Sequence, residues 1–166
     1  MSSPINVSTA SYAIAKEPDS LSTLGVGSCI VICLYAADQK IGALLHCMLP
    51  REESDTSNPY RCVDTAISQI VVELLRRGIT TPSLTAKLVG GSQMFPSVDS
   101  QQSIGEQNIE QALRILKIME IPVLGTDLGG SSGRSVIFDL NTGSVSIVHS
   151  LVSGDDKLDS NGTRVL

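Results

Sequence analysis

The stretch "CIVICLYAADQKIGALLHCM", residues 29–48, decides how this chain folds. Two β-rich apolar runs, 29–35 and 41–48, flank the polar "AADQK", which reads as a hairpin connection. Neither run alternates apolar with polar residues. The hairpin is therefore expected to be buried on both faces, inside a layered structure. Its register carries chemistry, because one strand holds Cys29 and Cys33 and the other holds His46, one of two histidines in the chain. Side chains opposite one another in an antiparallel pair share a face, with Cβ atoms about 4.5–5.5 Å apart. With the loop at Ala36–Gln39, Cys29 lies opposite His46. With the loop at Ala37–Lys40, Cys29 faces Met48 and His46 is its diagonal neighbour on the same face. A shift by one residue instead turns His46 away and brings Cys47 beside Cys29.

Upstream of the hairpin, residues 11–16 read as a short strand and "EPDSLSTLGVGS", residues 17–28, as a loop rich in serine and glycine. Downstream, "REESDTSNP" is a polar surface loop that ends in Asn58-Pro59, an N-cap followed by proline at a first helical position. The helix it predicts carries Val63, Ala66, Ile67, Ile70, Val71, Leu74 and Leu75 at helical spacing and closes at Gly78. "TAKLVGG", residues 85–91, is a strand running into a glycine turn. Ser103 and Glu106 form a capping box that opens a second helix, with Ile109, Ala112, Leu113, Leu116 and Met119 on one side and Pro122 past its end. Three more strands are expected over Val123–Asp127, Ser135–Leu140 and Ser144–His149, the last two joined at the turn signal "NTG". Two helices among seven or eight strands, mostly in hairpins, predict an α+β fold, with helices covering a largely antiparallel sheet system.

Composition agrees with a single domain over residues 1–166, with residues 1–10 and 153–166 as flexible ends. The chain is 42% hydrophobic and 17% charged, and its mean hydropathy is slightly positive, +0.18. That is too apolar for a disordered chain. The core must be aliphatic, since there is no Trp and only three Tyr and two Phe. A formal charge of −5 with scattered basic residues argues against nucleic-acid binding. No run approaches a membrane span, and the N-terminus lacks the basic and apolar regions of a secretory signal, so cytoplasmic residence is expected. The four cysteines, Cys29, Cys33, Cys47 and Cys62, are then expected as reduced thiols. With no C-x-x-C pair and two histidines, a zinc site is not expected.

Even registers leave Cys29 and Cys33 as possible partners of His46. Cys33 falls mid-strand, where a thiol packs inertly. Cys29 falls at the strand entry beside a glycine loop, where a substrate carbonyl has room to approach. Gly25 and Gly27 allow the backbone to curl, so that N–H groups around Ser28 and Cys29 face a developing oxyanion. The competing reading is a buried cysteine and a satisfied core histidine, both common on apolar strands. Asp19, Ser20, Ser22 and Thr23 are all candidates for a third group orienting the imidazole, and pattern alone does not choose among them. "GGSSGRS", residues 129–135, lacks the spacing and lysine of a phosphate loop and reads as a glycine turn into a strand. "GVGSC" lacks the third glycine of a dinucleotide fingerprint. His149 reads as structural, and Asn108 and Arg134 receive no role.

The segments "TLGVGSCIVICLY", "IGALLHCMLP", "AKLVGGSQMF", "IGEQN" and "IPVLGTDLGGSSGRSVIFDLNTGSV" occur in that order. Together they resemble the CheD family of chemoreceptor glutamine deamidases, from about Tyr12 to His149. The resemblance implies a cytoplasmic enzyme, acting at membrane-bound chemoreceptors, that converts selected receptor glutamines to glutamates without metal or organic cofactor. It implies a catalytic cysteine at Cys29, a histidine at His46 and a threonine at Thr23. Beside these, Gly27 and Ser28 are expected, from the glycine curl itself, as the oxyanion and substrate-binding segment. The resemblance also implies an α/β sandwich similar to the catalytic domain of the cytotoxic necrotizing factor toxins, and pairing with CheC, a phosphatase of the response regulator. Two departures stand out: Cys47 follows the histidine where an aromatic residue is common, and "AKLVGGS" replaces "AKLFGGA". Two other functions use the same residues differently. One is a non-catalytic chemotaxis adaptor that binds CheC or receptors. The other is a receptor methylesterase working through the same acyl-enzyme.

Overall fold

The computed structural model describes residues 2–54, 57–95, 101–150 and 162–166. In chain order the elements are β1 (Ile5–Asn6), β2 (Ser11–Lys16), β3 (Ser20–Val26), β4 (Ile30–Ala36), β5 (Ile41–Cys47), α1 (Val63–Arg76), β6 (Leu84–Gly90), α2 (Ile104–Ile118), β7 (Val123–Leu128), β8 (Arg134–Asp139), β9 (Val145–His149) and β10 (Thr163–Val165). Among the described residues they build two five-stranded sheets and a helical layer, an α+β fold. The outer sheet runs β1-β3-β8-β9-β10 and the central sheet β2-β5-β4-β6-β7. Only β1–β3 and β6–β7 pair in parallel; the other neighbours are antiparallel. No helix among the described residues is long and apolar enough to cross a membrane.

The hairpin of β4 and β5 lies inside the central sheet, and this explains its continuous apolarity. One face of it, Ile30, Ile32, Leu34, Ala43, Leu45 and Cys47, packs under α1 and α2 with Val63, Ile67, Ile70, Leu74, Ala112 and Leu116. The other face, Val31, Cys33 and Leu44, packs against Leu21, Val136, Phe138, Val145 and Ile147 of the outer sheet. The helix residues recur at the spacing the sequence showed, with Leu75 and Leu113 as exceptions at 57% and 40% exposure.

Several elements differ from expectation. Residues 20–26, read as loop, form β3. Leu21 and Thr23 point inward and Ser20 and Ser22 are only partly covered, so the alternation of a strand was present but carried by small polar residues. Asn58 caps a 3-10 turn at Pro59–Arg61 by accepting from the Tyr60 N–H, and α1 begins only at Val63. The two ends, expected to be flexible, supply β1, paired with Leu21 and Ser22, and β10, paired along β9; residues 153–161 of the expected tail lie outside the described residues.

The capping box of Ser103 and Glu106 is present in full. One residue inside it, Gly105 brings α2 against the loop that leaves β6. A Cβ there would fall 2.5 Å from the Ser92 carbonyl oxygen and closer still to that of Gly91. Helix propensity alone favours alanine over glycine by about 1 kcal/mol, but the obstacle here is backbone on both counts. Overpacking of this kind costs about 1–3 kcal/mol. Gly105→Ala is therefore expected to lower the Tm by roughly 2–12 °C. A raised Tm in a thermal melt would mean that propensity, not the close approach, governs this position.

Candidate active site

Between Val26 and Ile30 the chain passes from the outer sheet to the central one. It does so in three residues, Gly27, Ser28 and Cys29, directly after a bulge in β3. The register of β3 on β8 shifts between Thr23 and Val26, and Gly25 in that bulge holds φ at +66°, a left-handed value that favours glycine. The bulge leaves Leu24 and Gly25 exposed, while Thr23 and Val26 both face inward. Thr23 thus ends an inward-facing row just before the chain changes sheets.

The hairpin register answers the question posed by its sequence. Ala36 pairs with Ile41, Val31 with His46 and Ile30 with Cys47. Continued by one position, this register sets Cys29 against Met48, with His46 as the diagonal neighbour on the same face. The one-residue slip is excluded: Cys47 lies in the core beneath the helices, whereas Cys29 packs with the inter-sheet core.

Thr23 and His46 meet across the gap between the sheets. The Thr23 hydroxyl donates to the Val7 carbonyl at 2.6 Å, and its oxygen lies 2.8 Å from His46 Nδ1. A hydroxyl has one proton, and here Val7 receives it. The ring Nδ1 must then be the donor in the second bond, which leaves the lone pair on Nε2. His46 is fully buried, and Nε2 has no hydrogen-bond partner. A core histidine kept for packing is expected to have both nitrogens satisfied. This one has a fixed tautomer and a bare basic nitrogen. Among the described residues no hydrogen bond joins Nε2 to the Cys29 thiol, so the threonine and histidine are brought into contact and the cysteine is set beside them.

Of the four cysteines only Cys29 is partly exposed. Burial pushes Cys33 up to about 12, and Cys62, also beside the Glu52 carboxylate, up to about 11. Burial raises Cys47 as well. Cys29 is raised by burial too, with its own backbone N–H pulling the other way. Burial lowers His46 below the ordinary histidine value. Both shifts favour the neutral thiol and neutral imidazole over a preformed ion pair.

The bend at 27–29 has an unusual division of its polar groups. Its three carbonyls are all taken: Gly27 O accepts from the Ser92 N–H at 3.0 Å and Cys29 O from the Gly91 N–H at 2.8 Å, and Ser28 O accepts from the Asn108 side chain at 2.8 Å. Among the described residues the N–H groups of Ser28 and Cys29 donate to no other residue, the Cys29 N–H facing only its own thiol. Adjacent free N–H groups in a bend form a concavity suited to a negative oxygen. Gly90, at φ +115°, has no room for a side chain, since a Cβ would come within 2.5 Å of the Cys29 carbonyl oxygen.

Ser92 is itself held by a buried network. Arg134 donates to Ser92 Oγ, to the Gly129 carbonyl and to Asp127. Asp127 also contacts His149 Nε2 at 2.9 Å and Arg164 at 3.4 Å. Burial alone would raise the Asp127 carboxyl, but the His149 hydrogen bond and the Arg134 charge hold it below the usual carboxylate range. Arg134 and His149, far apart from the hairpin in sequence, thus brace the loop behind the bend. Asn108, which the sequence left without a role, reaches the bend directly. Its only signal was an amide on the inward side of the helix, a position shared with Gln111 among small and aliphatic residues. No group of three or more His, Cys, Asp or Glu among the described residues could hold a metal.

Known proteins resemble this chain over most of its length. A family model described as CheD chemotactic sensory transduction matches residues 48–149. The chain is 42% identical over 150 residues to a "Probable chemoreceptor glutamine deamidase CheD" of Desulfitobacterium hafniense, covering 89% of this chain and 94% of that protein. It is 40% identical over 148 residues to the protein of the same description from Pyrococcus abyssi, covering 87% and 91%. A third relative, described as "Probable chemoreceptor glutamine deamidase CheD 1" from Methanosarcina acetivorans, is 37% identical over 153 residues, covering 91% and 94%.

Proposed function

We propose, from the premise that the chain belongs to the CheD family, that it hydrolyses glutamine side chains on chemoreceptors to glutamate through a thioester on Cys29. The observation that carries this reading is the Thr23–His46 hydrogen bond, which leaves an unpartnered basic Nε2 on the face that Cys29 occupies.

The resting pair is neutral, so proton transfer accompanies attack rather than preceding it. In the substrate complex the thiol and imidazole close to hydrogen-bond distance, as catalytic pairs often do only once substrate is bound. His46 Nε2 takes the thiol proton as Sγ adds to the glutamine Cδ. The carbonyl oxygen becomes an oxyanion between the Ser28 and Cys29 N–H groups, in the bend that begins at Gly27. The imidazolium returns its proton to the amide nitrogen, the C–N bond breaks and ammonia leaves. Neutral His46 then deprotonates a water that adds to the thioester, and collapse releases glutamate and the Cys29 thiol. Thr23 keeps Nδ1 protonated throughout and offers a dipole, not a charge, to the imidazolium, so it orients more than it stabilises. Every proton is carried by this chain's own residues.

The test is incubation with a receptor cytoplasmic fragment, reading Gln-to-Glu changes by peptide mass spectrometry and ammonia release, with Cys29→Ala as control. Ammonia with mapped Glu sites is expected. Methanol release from methylated receptor without ammonia would make the protein an esterase, and no change would make it an adaptor. Pairing with CheC belongs to the same reading and is checked by co-purification of the two proteins. Action at receptors puts the protein beside the membrane.

Thr23→Val removes the hydroxyl at constant shape. It is expected to lower kcat on the order of 10- to 100-fold, the low end of what a positioned proton carrier contributes, while Thr23→Ser retains most of the rate. Equal activity of the valine and serine variants in the same assay would remove Thr23 from the mechanism.

A further inference from the structure

We infer that Asn108 is a positioning residue of the oxyanion site, acting through the Ser28–Cys29 peptide; the inference rests on the deamidase reading above. Asn108 is fully buried and lies one helical turn beyond Gly105, where α2 touches the Gly91–Ser92 backbone. Its amide spends both hydrogens on backbone oxygens, Ser28 O at 2.8 Å and Met48 O at 3.0 Å. Its own oxygen is buried without a partner. An orphan acceptor is a poor way to fill an aliphatic core, where leucine of similar volume would carry no such cost. What the amide does is tie the residue before the bend's end to the residue after β5, past the last pair of the ladder.

Those two residues flank the reacting groups. The β4–β5 ladder stops at Ile30–Cys47, one position short of Cys29 and Met48. Just past that position Asn108 bridges the Ser28 and Met48 carbonyls with its two donors and so closes the open end of the hairpin. The peptide between Ser28 and Cys29 is trans. In a planar trans peptide the C=O and N–H point in opposite directions. Pinning the Ser28 carbonyl toward α2 therefore turns the Cys29 N–H away from α2. The Ser92 N–H does the same for the preceding plane by holding the Gly27 carbonyl, which turns the Ser28 N–H outward. Asn108 and Ser92 thus aim the two free donors without touching substrate. Arg134, hydrogen-bonded to Ser92 Oγ, supports the second of these grips.

The experiment separates oxyanion geometry from thiol reactivity. Asn108→Ala and the isosteric Asn108→Asp, which faces two carbonyl oxygens with a third oxygen, are compared with the native chain in three measurements: kcat and KM on the receptor fragment, Tm, and the rate of Cys29 alkylation by iodoacetamide across pH. Alkylation is displacement at a saturated carbon and develops no oxyanion. It reads the thiol and its base alone. Both variants are expected to lose kcat about 10- to 100-fold, below the full loss of an oxyanion donor, with KM within about threefold and an unchanged alkylation pH profile. Full kcat in either folded variant overturns the inference. So does alkylation falling in parallel with kcat, which would make Asn108 a support of the thiol–imidazole pair. Failure of both variants to fold also overturns it, since Asn108 then serves the stability of the core. Absence of deamidation by the native chain, or its persistence in Cys29→Ala, would instead strike the deamidase reading.

Discussion

Cys29→Ala is expected to abolish glutamine deamidation and leave the fold intact, with Tm within a few degrees of the native chain. No other cysteine can replace the lost nucleophile. Cys33 and Cys47 are buried in the two cores and Cys62 at the head of α1, and burial keeps all three protonated. Loss of a nucleophile that acts as one unit with its base can reach about 10⁶-fold in kcat. The effect on stability is small because Cys29 is only partly covered, so the deleted sulfur leaves no closed cavity. The thiol also has a pH signature. Burial raises Cys29, so the thiolate forms only above the ordinary thiol range. Alkylation of the free protein by iodoacetamide should therefore rise with pH and inflect above that range. An inflection in the acidic range would instead mean a preformed thiolate–imidazolium pair, and activity in a pure Cys29→Ala preparation would end the thioester mechanism.

His46→Ala is the second large effect. It removes both the base for the thiol and the acid for ammonia, and kcat should fall by about 10²–10⁴, the usual contribution of a positioned proton carrier. Unlike Cys29→Ala it also costs stability, because the ring is fully buried and the Thr23 oxygen loses its donor. Activity and Tm should therefore drop together in this variant and separately in Cys29→Ala. The pH dependence of kcat/KM in the native chain reports the same group. Protonated His46 cannot accept the thiol proton, so activity falls as pH drops through its pKa. Burial lowers that pKa, and the acid limb should lie below the ordinary histidine range. An acid limb at or above it would indicate an imidazolium stabilised by a neighbouring negative charge that the site lacks. A His46→Ala variant with native kcat would exclude the ring from catalysis.

Much of this was legible along the chain because it rests on local periodicity. The apolar runs of the hairpin, the spacing in α1, the capping box of α2 and the turn between β8 and β9 all follow from patterns within a dozen residues. The α-helix start was misplaced because Asn58-Pro59 is an equally good cap for a 3-10 turn. β3 was missed because its inward positions include a threonine, and its short alternation is interrupted by the Gly25 bulge. Two short strands near the ends had no signal in the sequence. β1 and β10 are too short to show a pattern, and each exists only through pairing with a longer strand.

The sequence by itself determined the hairpin and the two helices. These depend on alternation and spacing, which are properties of a single strand or helix. Only the tertiary structure decided that Thr23 meets His46, because the two lie on different sheets and come together across the inter-sheet core. It alone decided that Asn108 and Ser92 grip the carbonyls of the bend, since those contacts join residues 65 to 80 positions apart that no local pattern relates. The hairpin register, and with it the face shared by Cys29 and His46, was also decided by the tertiary structure, because both faces of the hairpin are apolar and no alternation pins the pairing. Contact between layers arises only when both apolar faces of the central sheet are buried at once.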